Sequence, residues 1–179
     1  MFSLLVHYSK EGLVDWTFRE ATLRAERSCT ACRGSGALAG ESLTLCRCVY
    51  RTVFRECHRW FRRCIELDVS ARTVSLERIE LGVDRCVTWV RRNEDYIADF
   101  HAAGRRVLPA HLYRVFSFYH LHGATREVVA RRLGLSPRAL GDWISEAEVA
   151  VGREIAHQQP YSIFPPRRYW LPSGMPLAC

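Results

Sequence analysis

Thr125-Arg126-Glu127-Val128-Val129-Ala130-Arg131-Arg132-Leu133-Gly134-Leu135-Ser136-Pro137-Arg138-Ala139-Leu140 is the stretch on which the reading of this fold turns. Val129, Ala130 and Leu133 recur at helical spacing behind Thr125, whose hydroxyl suits a helix N-cap. Gly134 supplies a tight turn and Leu135 an apolar plug; Ser136 is a second cap and Pro137 opens a second helix. Leu140, Trp143, Ile144, Ala147 and Val151 keep the helical period and form its buried side. The small side chain of Ala130 lets two helices cross closely. Two helices joined this way make a helix-turn-helix, whose second helix can enter a major groove.

Upstream, Leu112, Val115, Phe116 and Tyr119 predict a helix opened by Pro109 and ended by Gly123. Val49–Ile65 contains no Gly or Pro, and Val49, Val53, Cys57, Trp60, Phe61 and Cys64 gather on one face of a helix. Val74, Leu76, Ile79, Val83, Val87 and Val90 suggest a second helix. Tyr96, Ile97 and Phe100 suggest a third, ended near Gly104. Arg91-Arg92-Asn93-Glu94-Asp95 reads as a polar break between the two. The expected class is mainly α: a small metal-binding module, then a helical bundle that ends in the helix-turn-helix. The expected segments are 1–48 with the metal ligands, 49–106 as a helical linker region, 107–157 as the helix-turn-helix and 158–179 as a tail.

The 179 residues fit one domain or two small ones, and 48% hydrophobic residues suffice for a packed core. Phe2–Val6 is too short for a secretion signal or a membrane span, and no other run approaches about 20 apolar residues. The expectation is a soluble, cytoplasmic protein without membrane contact, where thiols stay reduced. Eight cysteines then point to metal binding or burial before disulfides. A net charge of +7 favours an anionic partner, nucleic acid first.

The cysteines divide by spacing. Cys29-Thr30-Ala31-Cys32-Arg33-Gly34-Ser35-Gly36 is a C-x2-C-x-G-x-G knuckle, and Cys46-Arg47-Cys48 follows it. A C-x2-C turn sets two thiolates on one side of an ion, Gly34 and Gly36 permit tight folding after it, and Ala37–Thr44 can return the chain for a second pair. Cys29, Cys32, Cys46 and Cys48 are the expected ligands of one structural zinc ion, with Cys57 or His58 as alternatives to Cys48. Cys57, Cys64 and Cys86 lie among apolar residues and read as core, whereas Cys179 reads as a surface thiol. His120 and His122 are expected at the surface or as caps.

Arg51, Arg55, Arg59, Arg62 and Arg63 stripe the polar face of the Val49–Ile65 helix. They are either phosphate contacts or a solvated face paired with acids such as Glu66 and Asp68. The tail carries Pro160, Pro165, Pro166, Pro172 and Pro176 among Tyr161, Phe164, Tyr169 and Trp170, with Arg167 and Arg168 adding charge. It either wraps the core, offers aromatics to a partner, or is a disordered end. The chain has no phosphate-cradling glycine loop with lysine, no H-E-x-x-H and no G-x-S-x-G. An enzyme is not expected, nor is a small-molecule substrate.

From Leu108-Pro109 to Ile155 the chain resembles region 4 of bacterial sigma factors and related regulators. The resemblance rests on Val115-Phe116, Gly123-Ala124-Thr125, Val129-Ala130, Leu133-Gly134-Leu135-Ser136 and Ala147-Glu148. A counterpart of sigma region 2 is not recognisable. The knuckle beside such a domain is also similar to phage Q-type late antiterminators. It is shared with the DnaJ chaperone zinc domain as well, but that family repeats it and this chain has it once. The resemblance implies a transcription regulator that binds DNA, RNA polymerase or both. Its base-reading positions would be Ser136, Arg138, Asp142 and Ser145, with Arg126, Arg131 and Arg132 near phosphates and Arg51, Arg55, Arg59 and Arg62 as further phosphate contacts. Asp142, Glu146 and Glu148 would make the second helix locally acidic, and Gly141 would lie on its exposed face. The other readings are a protein-interaction adaptor that never touches nucleic acid and an antiterminator-like polymerase accessory. Target site and oligomeric state are not encoded in any recognisable motif.

Overall fold

A computed structural model describes residues 18–38, 44–78, 85–157, 163–164 and 166, without the side chains of 68–78 and 85–92. Phe2–Val6, Cys86, Cys179 and most of the tail lie outside the described residues. The chain is mainly α. Helix α1 spans Phe18–Arg24. A two-stranded antiparallel ribbon follows, β1 (Ala37–Leu38) and β2 (Thr44–Leu45), with Ala37 opposite Leu45. Then come α2 (Arg47–Arg78), α3 (Arg85–Val107), α4 (Ala110–Phe116), α5 (Arg126–Leu133) and α6 (Pro137–His157).

The apolar face of α2 is the one its period predicts. Val49, Val53, Cys57, Phe61 and Cys64 have no exposed surface, and Trp60 sits at their margin. They pack on α6 and α3, and Phe54, Phe61, Phe100 and Phe116 form an aromatic cluster between α2, α3 and α4. Offset and edge-on rings at such separations add roughly 0.5–1.5 kcal/mol per pair beyond their buried area. Buried residues from 21 to 164 join this one core, which includes the metal-ligand candidates at one end and Ile155 and Ala156 of α6 at the other. A smaller cluster of Val115, Val129, Leu140 and Ile144 holds α4, α5 and the start of α6 together.

Two helix boundaries differ from those the sequence predicts. Arg91–Asp95 is not a break: α3 runs through it, and Asn93 is buried. A run of polar residues interrupts a helix only where it brings a breaker, and none of these five is Gly or Pro. Nor does Gly104 end α3. A β-carbon there would lie 2.4 Å from the Phe116 ring, so the glycine makes room for that ring and the helix continues to Val107, just before Leu108-Pro109. The helix expected over Val74–Val90 is shared between α2 and α3, with 79–84 outside the described residues.

The local signals around the α5–α6 turn agree with the structure. Thr125 caps α5 by accepting the Val128 N–H, Gly134 takes a left-handed φ of 64°, and the Ser136 hydroxyl accepts the Ala139 N–H at 3.2 Å. Gly134, Leu135 and Ser136 are the whole connection. Between α4 and α5, Ser117–Leu121 forms one π-helical turn, closed by the His122 N–H on the Ser117 carbonyl. In the tail, Ile163 and Phe164 are buried in the main core, so this short piece wraps the fold. Among the described residues no helix is long and apolar enough to cross a membrane.

Candidate metal centre

The knuckle is folded by its own backbone. Arg33 N–H donates to the Cys29 carbonyl and Ser35 N–H to that of Cys32, which curls the chain so that both thiols face the same way. Arg33 and Gly34 then turn back with φ of 50° and 83°. Gly36 has a φ of 76°, and a β-carbon on it would lie 2.3 Å from the Ala21 carbonyl oxygen, so only glycine lets α1 rest on the turn. The β1–β2 ribbon brings the chain back, with the Cys46 N–H donating to the Gly36 carbonyl. Cys46 immediately precedes α2, and Cys48 lies in its first turn.

The four sulfurs of Cys29, Cys32, Cys46 and Cys48 lie within 4.8 Å of one another. Cys29 and Cys46 are 3.7 Å apart, Cys32 and Cys48 3.6 Å. A disulfide would need about 2.05 Å, so these are free thiols. Four sulfurs about 2.3 Å from a tetrahedral ion are separated by about 3.8 Å, close to the observed pairs. Their chemistry agrees with their geometry. The backbone N–H groups of Cys32 and Ala31 point at the Cys29 sulfur and pull its pKa down to about 7. Burial raises the pKa of Cys46 and Cys48, and the N–H groups of Cys48 and Glu26 only partly counter it. Buried thiols so arranged need a cation to become thiolates. The cluster can hold a metal ion, and Cys48, not Cys57 or His58, is its fourth member.

Cys57 and Cys64 are core, as their spacing suggests. Burial pushes their thiols up to about 12 and about 11, and Cys57 packs against the carbonyl of Ile163. His58 is also committed elsewhere, with its Nε2 2.9 Å from the His120 carbonyl oxygen.

The arginine stripe is divided by the structure. Arg51 Nε lies 3.3 Å from Glu148 of α6, and Arg55 bridges Glu148 at 3.9 Å and Glu26 at 3.1 Å. These two are therefore internal ties and not free phosphate contacts. They connect the segment before the knuckle, α2 and α6 through one carboxylate. Arg59, Arg62 and Arg63 face a cleft beside α2, with Arg63 over the Trp60 ring. Glu148 is a second correction: it is 8% exposed and turned inward, so the outward acids of α6 are Asp142 and Glu146. A third is His120. Its ring is buried against Phe54 and Tyr119, and its Nε2 is 3.8 Å from Glu148, too far for a hydrogen bond. Burial, then the neighbouring His58, lowers its pKa to about 3. It stands four residues after buried Phe116, so helical register already placed it inside; its polarity suggested the surface instead.

At the α5–α6 turn, Arg126, Arg131, Arg132, Ser136, Arg138 and Asp142 are exposed and Ser145 is half-buried. Arg126 lies over the Tyr119 ring and Arg132 over the Phe118 ring, at 5.8 and 4.9 Å. These contacts were not legible in the sequence, because the rings come from the π turn. Gly141 is open on all sides, as expected of the outward face.

Comparison of the chain with protein-family models, with curated proteins and with solved structures finds no match. The functional reading therefore rests on the geometry of the two ends of the molecule.

Proposed function

We propose that this chain is a transcription regulator with a structural zinc ion, which reads duplex DNA through the outward face of α5 and the first half of α6. The observation that carries the reading is the division of α6. Its C-terminal half is clamped to α2 by packing and by Glu148, while its first turns project Arg138 and Asp142 beside Arg131 of α5. An exposed arginine at the start of a helix that follows a tight turn can make a bidentate contact with guanine. The sequence resemblance to sigma region 4 supports the same use of these positions. With Glu148 neutralised inside, the face is less acidic than the sequence alone implies. Four sulfur ligands suit zinc and leave no open position for water, so the ion would stiffen the knuckle and set the start of α2 without doing chemistry.

A second reading has its own observation. Val128 is 48% exposed on α5, between Arg126 and Arg131, and an adaptor or a polymerase accessory would use it as an apolar anchor. A gel shift on pooled duplexes across a salt series separates the two. The DNA reading expects binding that weakens steeply with salt and that an Arg126→Ala, Arg138→Ala variant loses. Absence of binding at low salt, or an unchanged variant, leaves the protein-contact reading; capture of RNA polymerase abolished by Val128→Asp would then support it. Metal analysis of freshly purified chain should return about one zinc per chain.

A further inference from the structure

In sequence the arginine stripe is one undivided face; in the fold, the part of it not tied to Glu148 takes a definite shape. Arg59, Arg62 and Arg63 of α2 line a cleft of about 890 Å³ together with Arg24 of α1 and Pro166 of the tail. Arg24 is more than thirty positions away in sequence and owes its place to the packing of α1 on α2. Glu56 and Glu66 also line the cleft, so four guanidinium groups face two carboxylates and the cleft stays positive. Trp60 forms part of its wall. The indole Nε1 is shielded from solvent and has no hydrogen-bond partner among the described residues. A buried donor left unpaired costs about 1–3 kcal/mol, a cost an acceptor arriving in the cleft would remove.

We propose that this cleft binds a phosphate-bearing nucleotide unit, supplied by an unpaired nucleic-acid strand or by a free nucleotide. Three features select that chemistry. The basic groups are all arginine (Lys10 is the only lysine of the chain), and planar guanidinium forks match phosphate oxygens two at a time. The volume falls in the range of sites that enclose a small organic molecule and is far more than one phosphate needs. Trp60 and the Arg63 guanidinium over its ring, 5.7 Å from the centroid, offer a flat edge and a donor to a base. A duplex keeps its bases stacked inside, whereas an unpaired strand can turn one nucleotide into a concave site. The site is separate from the α5–α6 face and does not depend on duplex binding there.

Fluorescence anisotropy of the full chain with a labelled oligothymidine tests it. Binding at low salt should weaken about ten-fold or more in an Arg59→Ala, Arg63→Ala variant. Its log–log salt slope should become shallower by about 0.7 for each phosphate that the variant no longer neutralises. Trp60→Phe keeps an aromatic ring and removes the N–H, and should weaken binding a few-fold while circular dichroism stays unchanged. Release of the strand by millimolar adenosine monophosphate would identify a single-nucleotide site open to free nucleotides. Resistance to it, with both variants still weakened, would assign the site to a strand. The proposal is overturned if the oligonucleotide does not bind, if both variants bind like the parent, or if polyglutamate displaces the strand as well as a second oligonucleotide does. Arg126→Ala, Arg138→Ala should leave this binding intact, so failure of the duplex reading and failure of the cleft are told apart.

Discussion

The two halves of α6 are built on opposite terms. From Pro137 to Ser145 the helix buries only Leu140 and Ile144, in the small cluster it shares with α4 and α5, and its other positions are exposed or half-buried. From Glu146 to His157 it buries Ala147, Glu148, Val149, Val151, Gly152, Ile155 and Ala156. The second half is held by α2, whose first turn carries Cys48; the first half is held by a turn whose caps are purely local. A long helix can thus be anchored at one end by a metal-bearing module and remain free to meet a partner at the other. Orientation and recognition are separated along a single element.

The largest effect should come from the metal ligands. Cys46→Ser, or removal of the ion by a chelator, leaves buried thiols without their cation and frees the start of α2. The expected loss is on the order of 5 kcal/mol or more, enough to threaten a domain of ordinary stability. Hydrogen exchange at a temperature where the variant stays folded should show amides of 146–157 opening before those of 137–145. Equal loss of protection along the whole of α6 would break the comparison, because the first half would then depend on the metal as strongly as the second.

Next in size is the contact that joins α6 to α2. A β-carbon at Gly152 would lie 2.1 Å from the Tyr50 carbonyl oxygen, a backbone atom that cannot swing aside. Gly152→Ala must push the helices apart and should cost about 3 kcal/mol in chemical denaturation, at the upper end of overpacking effects. Retention of full stability would show that the α2–α6 contact is looser than its geometry implies.

Acid should weaken the same seam. His120 is buried between α2 and α6 with a pKa lowered to about 3, against 6.5 when exposed, so the folded state binds fewer protons than the unfolded. Its penalty is absent above about pH 6.5 and grows as pH falls toward 3. By pH 5 it amounts to about 2 kcal/mol. The Glu148 carboxylate 3.8 Å away favours the proton and opposes part of this. Denaturant titrations of the parent and of His120→Phe between pH 7 and 5 should diverge, the parent losing more. Parallel curves would mean that His120 takes up its proton without opening the seam.

These three sites also mark where the sequence was legible. Around Thr125, Gly134, Ser136 and Pro137 every signal is local, and each residue does in the structure what its type suggests. The metal ligands were legible for the same reason, since a knuckle and a returning pair need only short-range geometry. Glu148 and Arg51 are 97 positions apart, and nothing near either one announces the pairing. The same applies to Arg24 in the cleft and to Ile163 in the core. Polar side chains take their role from whatever the fold brings opposite them, and local pattern does not carry that information.

The smallest effect belongs to the free half of α6, and its sign is the informative part. A β-carbon at Gly141 would meet nothing within 4 Å, in contrast to Gly152 eleven positions later on the same helix. In open helix, glycine is about 0.5–1 kcal/mol less favourable than alanine. Gly141→Ala should therefore raise stability by that amount, read as a rise of a few degrees in Tm. Because Gly141 lies between Arg138 and Asp142 on the face assigned to DNA, the same variant reports on recognition. Stabilisation with weaker duplex binding would mean that the backbone at Gly141 approaches the partner closely and needs the missing side chain. Stabilisation with unchanged binding would place the contact on the side chains around it. Destabilisation would refute the contrast itself, since it would require a neighbour at Gly141 that the free half of α6 does not have.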